Sequence, residues 1–451
     1  MFFRIIKDAL KIDIWRTNYI ISSPTSEFFK YIPLKKHQNL FTSSIQFIFE
    51  FLKSFKYLSF RKSEKSKYLF FSSSKNQTDA IISVKNKIHN STLYSCKNLG
   101  GENYNETVAY LYSFLFFPIL IFKLIQANEH QKNCLYKFFN RYWLVYGYYI
   151  KARLFIRKIN AEIIIVANDH DIKCECFTLA AKAENKKSIY IQHANVSDKF
   201  PPLVHDYVFL YGKDSLKKYD QIGKSSSKVF LLGNPKFDKF LKQTSSKLKT
   251  KIGIAVNSID EYSKVLELID FMQTTFPKYD LILRPHPRDI RFKEYKKLCH
   301  LKKIKFSNSQ KENSFKFLSN IFILISGESS IHLEAALLNV SSIYASFFAD
   351  YNLIFDNYGF CKNGLINHVP KDFINLESNI QEIIGSKNNR KENINYYLAN
   401  INTHFETRAG ELIAQTIENI NNDSFIKQNF QVCSFYCNTP NTFTISNLQS
   451  N

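Results

Sequence analysis

The chain has 451 residues, of which 45% are hydrophobic and 22% are charged. This is a globular balance, which excludes an intrinsically disordered chain, and the length favours two domains over a single hydrophobic core. Lys and Arg number 61 against 39 Asp and Glu, so the formal net charge is +22 and the surface should attract anionic lipids, nucleic acids or substrates.

Residues 1–66 are a basic region rich in aromatic side chains, and we predict helices there. In "FIFEFLKSFKYLSFRK" lysines are interleaved with aromatic residues, which favours an anionic membrane surface over nucleic acid as the partner. A solvated basic face on ordinary helices explains the same pattern. The first residues, "MFFRIIKDALKIDIW", carry scattered charges and no small-residue cleavage site, unlike a signal peptide.

The most apolar run is "VAYLYSFLFFPILIF", from Val108 to Phe122. It is shorter than the roughly 20 residues that span a bilayer, and Pro118 interrupts it. We predict a buried core helix, with a helix at the membrane interface as the alternative. Without a clear span or signal sequence, we expect a cytoplasmic protein, with peripheral attachment to the inner face of the bacterial inner membrane left open.

Residues 67–241 alternate between predicted strands and helices. The run "AEIIIVANDHD" is continuously apolar before its polar end, which is typical of a parallel strand buried on both faces. Strands separated by helices at this spacing indicate βαβ units, so we predict an N-terminal Rossmann-like domain. Its other main strands are expected in "KYLFFSSS", "SIYIQHANV", "HDYVFLYG" and "SKVFLLGNP".

A lysine-rich linker at residues 242–251 precedes a second alternating region at residues 252–423. Its strands are predicted in "IGIAVN", "YDLILR", "IKFSN", "IFILIS" and "VSSIYAS". Residues 424–451 carry one charge and many Asn, Ser and Thr, and we expect a poorly ordered tail.

The predicted fold class is therefore α/β, with two Rossmann-like domains whose parallel sheets face each other across a cleft. Ligands of such sheets bind beyond the carboxyl ends of the strands. The polar motifs of this chain all follow predicted strands.

The turn in "YDLILRPHPRD" is the first candidate site. Pro285 and Pro287 fix two φ angles, so His286 is presented with little entropy left to lose on binding. Arg284 and Arg288 are fork-shaped donors suited to phosphate. An anion, most simply a phosphate, satisfies this arrangement, and a surface turn with a capped histidine is the alternative.

The second candidate is "IFILISGESSIHLEAALLN", where a strand ends and a helix begins at once. A helix N-terminus with Ser329 and Ser330 suits an anion, and Gly327 would let the backbone approach it. Glu334, one turn into the helix, either accepts from ribose hydroxyls or is a solvated charge. A plain serine cap explains this motif alone, but beside the first turn it favours a phosphate pocket.

The third candidate lies in the first domain, in "VANDHDIK" and "YIQHANV". Asp169, His170 and His193 follow two of its strands and are candidate bases for a hydroxyl group. His193 is the best placed of the three, directly after an apolar strand. A satisfied structural histidine is the alternative.

Several chemistries lack their motifs in this sequence. It contains no Walker loop, no GxGxxG, no GxSxG, no HExxH and no paired CxxC, and no DxD-type acidic pair follows a strand of the second half. We therefore expect neither a cofactor nor a metal. The eight cysteines match no disulfide framework or zinc site, so we expect reduced thiols.

With these motifs the chain resembles GT-B glycosyltransferases, over roughly residues 160–370. It is similar to bacterial sialyltransferases, which have a His-Pro and a paired-serine motif, and to CDP-glycerol glycerophosphotransferases, which have RxHP, Ser-Ser and Gln-His motifs. Ala194 stands where the latter usually have glycine, and "SGESS" lacks their Asp-Tyr before the serines. The matching positions are Arg284, His286-Pro287, Ser329-Ser330, Gln192-His193 and the segment "GNPKFD".

The resemblance implies a metal-independent, inverting transfer from a nucleotide donor to an acceptor. His286, Ser329 and Ser330 would bind the donor phosphate in the second domain, and His193 or Asp169 would be the base in the first, acceptor domain. We expect a cytidine donor, CMP-sialic acid or a related sugar acid, and a bacterial surface glycan or glycolipid as acceptor.

Other readings stay open. CDP-glycerol is the second donor and a UDP-sugar the third, and an epimerase of the same fold is a rival enzyme. The rival from another class is a glycan- or anion-binding module without turnover. We do not expect nucleic acid as a partner.

Overall fold

A computed structural model of the chain describes residues 2–23, 39–58, 63–197, 199–242, 250–348, 355–385, 393–432 and 441–446. The chain divides into two compact units, Met1–Lys236 with Leu398–Asn451 and Phe237–Tyr397.

The strands of the described residues, in chain order, are β1 (Tyr68–Ser72), β2 (Ser91–Ser95), β3 (Glu102–Asn103), β4 (Ile163–Val166), β5 (Lys187–Ile191), β6 (Tyr207–Leu210), β7 (Lys228–Leu231), β8 (Lys251–Val256), β9 (Asp280–Pro285), β10 (Lys305–Phe306), β11 (Ile321–Ser326), β12 (Ser341–Tyr344), β13 (Phe430–Val432) and β14 (Thr442–Ile445).

The α-helices of the same residues are α1 (Phe2–Ala9), α2 (Ile14–Thr17), α3 (Tyr19–Ser22), α4 (Leu40–Ser54), α5 (Lys75–Lys85), α6 (Thr107–Phe114), α7 (Phe117–Gln126), α8 (Glu129–Ile159), α9 (Ile172–Ala183), α10 (Lys213–Ile222), α11 (Asp238–Leu241), α12 (Tyr262–Thr275), α13 (Phe292–Leu301), α14 (Ser314–Leu318), α15 (Ile331–Leu337), α16 (Phe373–Gly385), α17 (Ile394–Tyr397), α18 (Ala409–Glu418) and α19 (Asp423–Asn429).

The sheet of the first unit has, among the described residues, the strand order β13-β14-β7-β6-β5-β4-β1-β2-β3. All neighbours are parallel except β13 and β14. Every residue of β1 and β4 is buried, because helices cover both faces of the sheet. The continuous apolar runs of the sequence are thus explained by their central position.

The sheet of the second unit is parallel throughout, with the order β10-β9-β8-β11-β12 over the residues that the structure covers. The two predicted phosphate motifs follow β9 and β11, which flank β8. Their carboxyl ends therefore share one edge of the sheet, as the sequence predicted.

The N-terminal helices belong to the first unit instead of forming a separate region. Phe47 of α4 stacks on Trp143 of α8 with ring centroids 4.0 Å apart, and Ile5 and Ile14 are buried in the same core. The helical prediction for residues 1–66 agrees with the part that is described. Residues 24–38 and 59–62 lie outside the described residues.

The apolar run from Val108 to Phe122 forms two helices, and not the single buried helix that we predicted. α6 and α7 are bent by 61°, with Pro118 in the first turn of α7 where its missing N–H costs nothing. Among the described residues no single helix has the length and apolarity of a membrane span. The bent pair α6–α7, taken together, has the length and composition of one.

The C-terminal part also differs from the prediction of one domain over residues 252–423 followed by a poorly ordered tail. α18 packs in the first unit because its apolar face, including Leu412 and Ile417, completes the core under the first sheet. β13 and β14 extend that sheet, and Phe443 stacks on Phe230 at 4.8 Å. Most of the predicted linker, residues 243–249, lies outside the described residues.

Candidate functional site

The turn after β4 holds two predicted catalytic residues of the first unit. Asp169 is buried and His170 is half-buried, at the carboxyl edge of the sheet. His170 Nδ1 lies 2.8 Å from Asp169 Oδ1, and the Tyr219 hydroxyl donates to Asp169 Oδ2. Both oxygens of this carboxylate are therefore engaged.

Asp169 stays ionised in this setting. Burial opposes its ionisation, but the hydrogen bond and charge of His170 and the hydrogen bond from Tyr219 outweigh burial, so the pKa of Asp169 lies below its usual value. A carboxylate that accepts from Nδ1 fixes the tautomer and orientation of an imidazole and leaves Nε2 as the base. This arrangement makes His170, and not Asp169 itself, the better-placed base.

Asn168 orients both histidines of the first unit. Its Oδ1 accepts the backbone N–H of His170 at 2.8 Å and that of Asp171, so its amide nitrogen must face the rings. Asn168 Nδ2 lies 3.4 Å from His170 Nε2 and 3.3 Å from His193 Nε2. Both Nε2 atoms act as acceptors, and the ring centroids are 6.3 Å apart.

His193 is neutral over the physiological range. Burial, reinforced by the neighbouring His170, lowers the pKa of His193 to about 4. Its Nδ1 is buried and has no hydrogen-bond partner among the described residues. The three residues that the sequence singled out are thus brought together.

Gln192 of the Gln-His motif is a positioning residue. It is fully buried, donates to Ala194 O at 2.8 Å and to Ser215 Oγ at 2.9 Å, and accepts from Tyr211 N at 2.8 Å. These bonds hold the loop that carries His193 against the neighbouring strand and helix.

His286 lies exposed on the turn after β9 in the second unit. Its backbone N–H donates to Val256 O at 2.7 Å, and its Nδ1 accepts from Arg288 N at 3.2 Å. The neutral ring therefore carries its proton on Nε2, which remains as a donor. Partial burial and the charges of Arg288 and Arg284 lower the pKa of His286.

The two arginines of this motif have different surroundings. Arg284 is buried, with Nη1 donating to Ser307 Oγ at 2.8 Å and Nη2 to Glu312 O at 3.0 Å. Two of its donors thus hold residues 307–312, because Arg284 still belongs to the buried strand, and phosphate binding by Arg284 stays a prediction. Arg288 is exposed, and its guanidinium makes no hydrogen bond within the described residues, so it stays a candidate.

The serine loop after β11 leaves one hydroxyl uncommitted. Ser330 precedes α15, yet its side chain makes no capping hydrogen bond, so the plain serine cap is not what the structure shows. Ser329 Oγ accepts from Ile331 N at 3.4 Å, a weak contact. Pro287 and the two serines remain predicted ligands of the donor.

Two other residues predicted to bind the donor, Gly327 and Glu334, interact with neighbouring residues of the second unit. Gly327 is buried, its carbonyl accepts from His332 Nε2 at 3.0 Å, and its φ is not positive. Glu334 is half-buried in the first turn of α15, close enough to favour the charged form of Arg284. A ribose contact for Glu334 stays a prediction.

Asn257, which our sequence reasoning missed, ties the two motifs together. Its Nδ2 donates to Glu328 O at 3.0 Å in the serine loop, and its carbonyl accepts from Arg291 Nη2 at 2.8 Å. Arg291 in turn pairs with buried Asp289 beside His286, with Nη2 2.8 Å from Oδ2. Asn257 could have been predicted from the sequence, because it directly follows the end of β8, just as the other candidate residues follow their strands.

The described residues contain no group of three or more His, Cys, Asp or Glu side chains arranged to hold a metal ion. Six of the cysteines are free thiols in the covered part of the chain, and Cys433 and Cys437 lie outside it. Independence from a metal stays a prediction.

Two Rossmann-like units with parallel sheets and polar motifs at the carboxyl ends of their strands define the GT-B fold class. The predicted α/β fold class is confirmed.

Several solved structures are similar to this chain in fold. The UDP-GlcNAc 2-epimerase from Methanocaldococcus jannaschii is 14% identical with a TM-score of 0.52, over 78% of this chain and 99% of that chain. The UDP-GlcNAc 2-epimerase from Neisseria meningitidis bound to UDP-GlcNAc is 13% identical with a TM-score of 0.51, over 78% and 99%. The wall teichoic acid polymerase TagF is 11% identical over 86% of this chain and 98% of that chain, with a TM-score of 0.43. No family model matches the chain, and no curated protein matches it.

Proposed function

We propose that the protein is a nucleotide-sugar-dependent glycosyltransferase, in which the second unit binds the donor phosphate and the first unit activates an acceptor hydroxyl. The observation that carries this proposal is the Asp169–His170 pair. His170 Nδ1 lies 2.8 Å from Asp169 Oδ1, which leaves His170 Nε2 as a hydrogen-bond acceptor. An imidazole held by a carboxylate in this way is the usual base for a hydroxyl group.

The chemistry is a displacement at the anomeric carbon. His170 Nε2 takes the proton of the acceptor hydroxyl, the oxygen attacks the sugar, and the bond between the sugar and the phosphate breaks with inversion. The nucleotide leaves with the bonding electrons, and its phosphate is held by the Nε2–H of His286, the guanidinium of Arg288 and the hydroxyl of Ser330. This set of donors needs no metal ion.

The donor in this proposal carries cytidine, as in CMP-sialic acid or a related sugar acid, and the acceptor is a bacterial surface glycan such as capsule, lipooligosaccharide or O-antigen. The His-Pro and Ser-Ser motifs support that choice. CDP-glycerol is the next donor, supported by Arg284 of RxHP and by Gln192-His193. A UDP-sugar is favoured by the solved epimerases, one of which is bound to UDP-GlcNAc.

The second candidate function is epimerisation of a UDP-sugar, which the fold of the epimerases favours at TM-scores up to 0.52. An epimerase must remove a proton from a sugar carbon, for which a free carboxylate is suited. Both oxygens of Asp169 are already engaged by His170 and Tyr219, which favours transfer over epimerisation.

An NMR assay in D2O separates these functions. The protein is incubated with CMP-sialic acid, CDP-glycerol or UDP-GlcNAc, with and without a glycan acceptor. A transferase releases the nucleotide in an acceptor-dependent way and leaves the sugar C–H signals intact. Deuterium at a sugar carbon would instead show an epimerase, and binding without any turnover would show a glycan- or anion-binding module.

A further inference from the structure

Most of the large hydrophobic side chains that are exposed in the described residues lie between residues 2 and 136. α4 presents a stripe of them at helical spacing along one side, while its opposite side is anchored by Phe47 on Trp143. The stripe consists of Phe41, Ile45, Ile48, Phe49, Leu52 and, just past the helix end, Phe55.

The bent pair α6–α7 continues this surface. Phe114 of α6 packs against Phe47 and Phe51 of α4, with ring centroids 5.6 and 5.5 Å apart, so the exposed sides of the helices are neighbours. α6 and α7 themselves carry no acidic residue. The exposed apolar side chains of this pair are Leu111, Phe114, Leu115, Phe117, Phe122 and Ile125.

The charges beside this surface are mainly positive. Lys53 Nζ lies 4.2 Å from the centroid of the Phe49 ring, Lys56 is exposed at the end of the stripe, and Lys123 is half-buried on α7. Glu50 is the acidic residue of α4, and it accepts a hydrogen bond from Gln46. Aliphatic stems of lysines can cover an apolar face while their ammonium groups stay in water.

We propose that α4, α6 and α7 form a face that embeds in the interfacial layer of an anionic membrane, and we call it the α4–α7 face. Apolar patches of this kind mark interaction sites, and Phe, Leu and Ile flanked by lysines suit the boundary between acyl chains and headgroups. A second copy of the chain fits less well, since pairing two such faces would bring their lysines together with few acids between them.

The sequence predicted a membrane contact within residues 1–66, which include α4, and left an interfacial helix open for Val108–Phe122; the α4–α7 face joins these two segments in one surface. One side of the apolar run that we expected to be buried is exposed, whereas Ala109, Phe116 and Leu120 on its other side are buried. The proposal goes beyond the proposed function and does not depend on which nucleotide the second unit binds, so the two can fail separately.

Flotation of the full-length protein with vesicles tests the proposal. The vesicles contain phosphatidylcholine alone or with phosphatidylglycerol. The variant Leu115→Gln, Phe122→Gln, Ile125→Gln changes side chains of the α4–α7 face that are 56–70% exposed. The matched control Leu301→Gln, Ile374→Gln, Val432→Gln changes apolar side chains elsewhere that are 66–77% exposed.

We expect the wild type and the control to float with the anionic vesicles. The partition coefficient of the face variant into these vesicles should fall more than about tenfold. Equal flotation of the face variant would overturn the proposal. Absence of wild-type flotation, together with a dimer that the face variant dissociates, would identify a second copy as the occupant and would also overturn it.

Depth of insertion gives a second test, which does not require the triple variant to fold. The variant Leu115→Trp should be quenched by lipids brominated on their acyl chains, whereas Leu301→Trp should not. Flotation without quenching at residue 115 would place the contact elsewhere and contradict the proposal. Lys53→Gln, Lys56→Gln, Lys123→Gln should weaken binding to the vesicles with phosphatidylglycerol, and unchanged binding would refute the anionic preference.

Discussion

At the residue scale, the candidate site of the first unit is a hydrogen-bonded set in which Asp169 joins His170 and Tyr219. The sequence predicted three polar residues at this place, because parallel sheets bind ligands at the carboxyl ends of their strands and each of these residues follows a strand: Asp169, His170 and His193. Tyr219 gave no signal, because it approaches Asp169 from α10, fifty positions along the chain. The internal hydrogen bonds of Arg284 to Ser307 and Glu312 gave no signal either, because residue type alone does not show the partners of a guanidinium.

Replacing Asp169 by Asn should lower kcat by about 10²–10⁴-fold, because the amide no longer holds His170 in the tautomer that leaves Nε2 as the base. Steady-state kinetics with saturating donor measure this. Asp171→Asn, in the same turn, is the matched control: Asp171 caps α9, and asparagine caps equally well, so kcat should stay near wild type. Comparable losses in both variants would argue against the role of Asp169.

Buried histidines should make the protein less stable in acid. Burial lowers the pKa values of His193, His205 and His332 to about 4, while the unfolded chain binds these protons near pH 6.5. Between these values the unfolded state holds more protons, so the free energy of unfolding should fall with decreasing pH, by up to about 1.4 kcal/mol per pH unit for each histidine.

Denaturant titrations from pH 7 to pH 4 measure this slope. His205→Gln removes one buried imidazole. The slope of the free energy of unfolding against pH should therefore decrease by the contribution of one proton, up to about 1.4 kcal/mol per pH unit. A slope that does not change in this variant would show that His205 does not titrate as described.

At the element scale, the parallel strands were predicted well, because uninterrupted apolar runs have few alternatives in an α/β fold. The helices at residues 107–126 were predicted less well. Composition did not show that Pro118 would start a second helix, or that one side of the pair would be left exposed. The same apolar run is compatible with a core and with a membrane interface, and only the neighbouring helices decide between them.

Gly147 allows α6 to approach α8. A Cβ atom there would lie 1.9 Å from Ala109 O and 2.7 Å from Ser113 N, which are backbone atoms and cannot rotate away. Gly147→Ala should therefore lower the free energy of unfolding by about 1–3 kcal/mol. Gly385→Ala is the matched control, since no atom of the described residues lies within 4 Å of its Cβ position, and it should be neutral or slightly stabilising in a urea titration. Equal stability of the two variants would contradict the close packing.

At the scale of the whole molecule, the division into two Rossmann-like units could be predicted, whereas the course of the C-terminal part could not. Residues 398–451 return to the first unit, because Leu412, Ile417 and Phe430 find their apolar partners there. A helix with an apolar face does not indicate which of two similar sheets it covers.

Truncation after residue 397 should therefore destabilise the first unit selectively. Hydrogen exchange measured by mass spectrometry should show lost protection in β6 and β7, while β8 and β9 keep theirs. Lost protection in β8 and β9 with β6 and β7 unchanged would assign the C-terminal helix to the second unit.

The central claim, that this GT-B protein binds a nucleotide donor through the His286 turn, is tested most directly by calorimetric titration with CMP, CDP, UMP and UDP. Cytidine nucleotides should bind best, and His286→Ala should weaken their binding about 10- to 100-fold, the worth of a charge-assisted hydrogen bond. Binding that is unaffected by His286→Ala would contradict the claim.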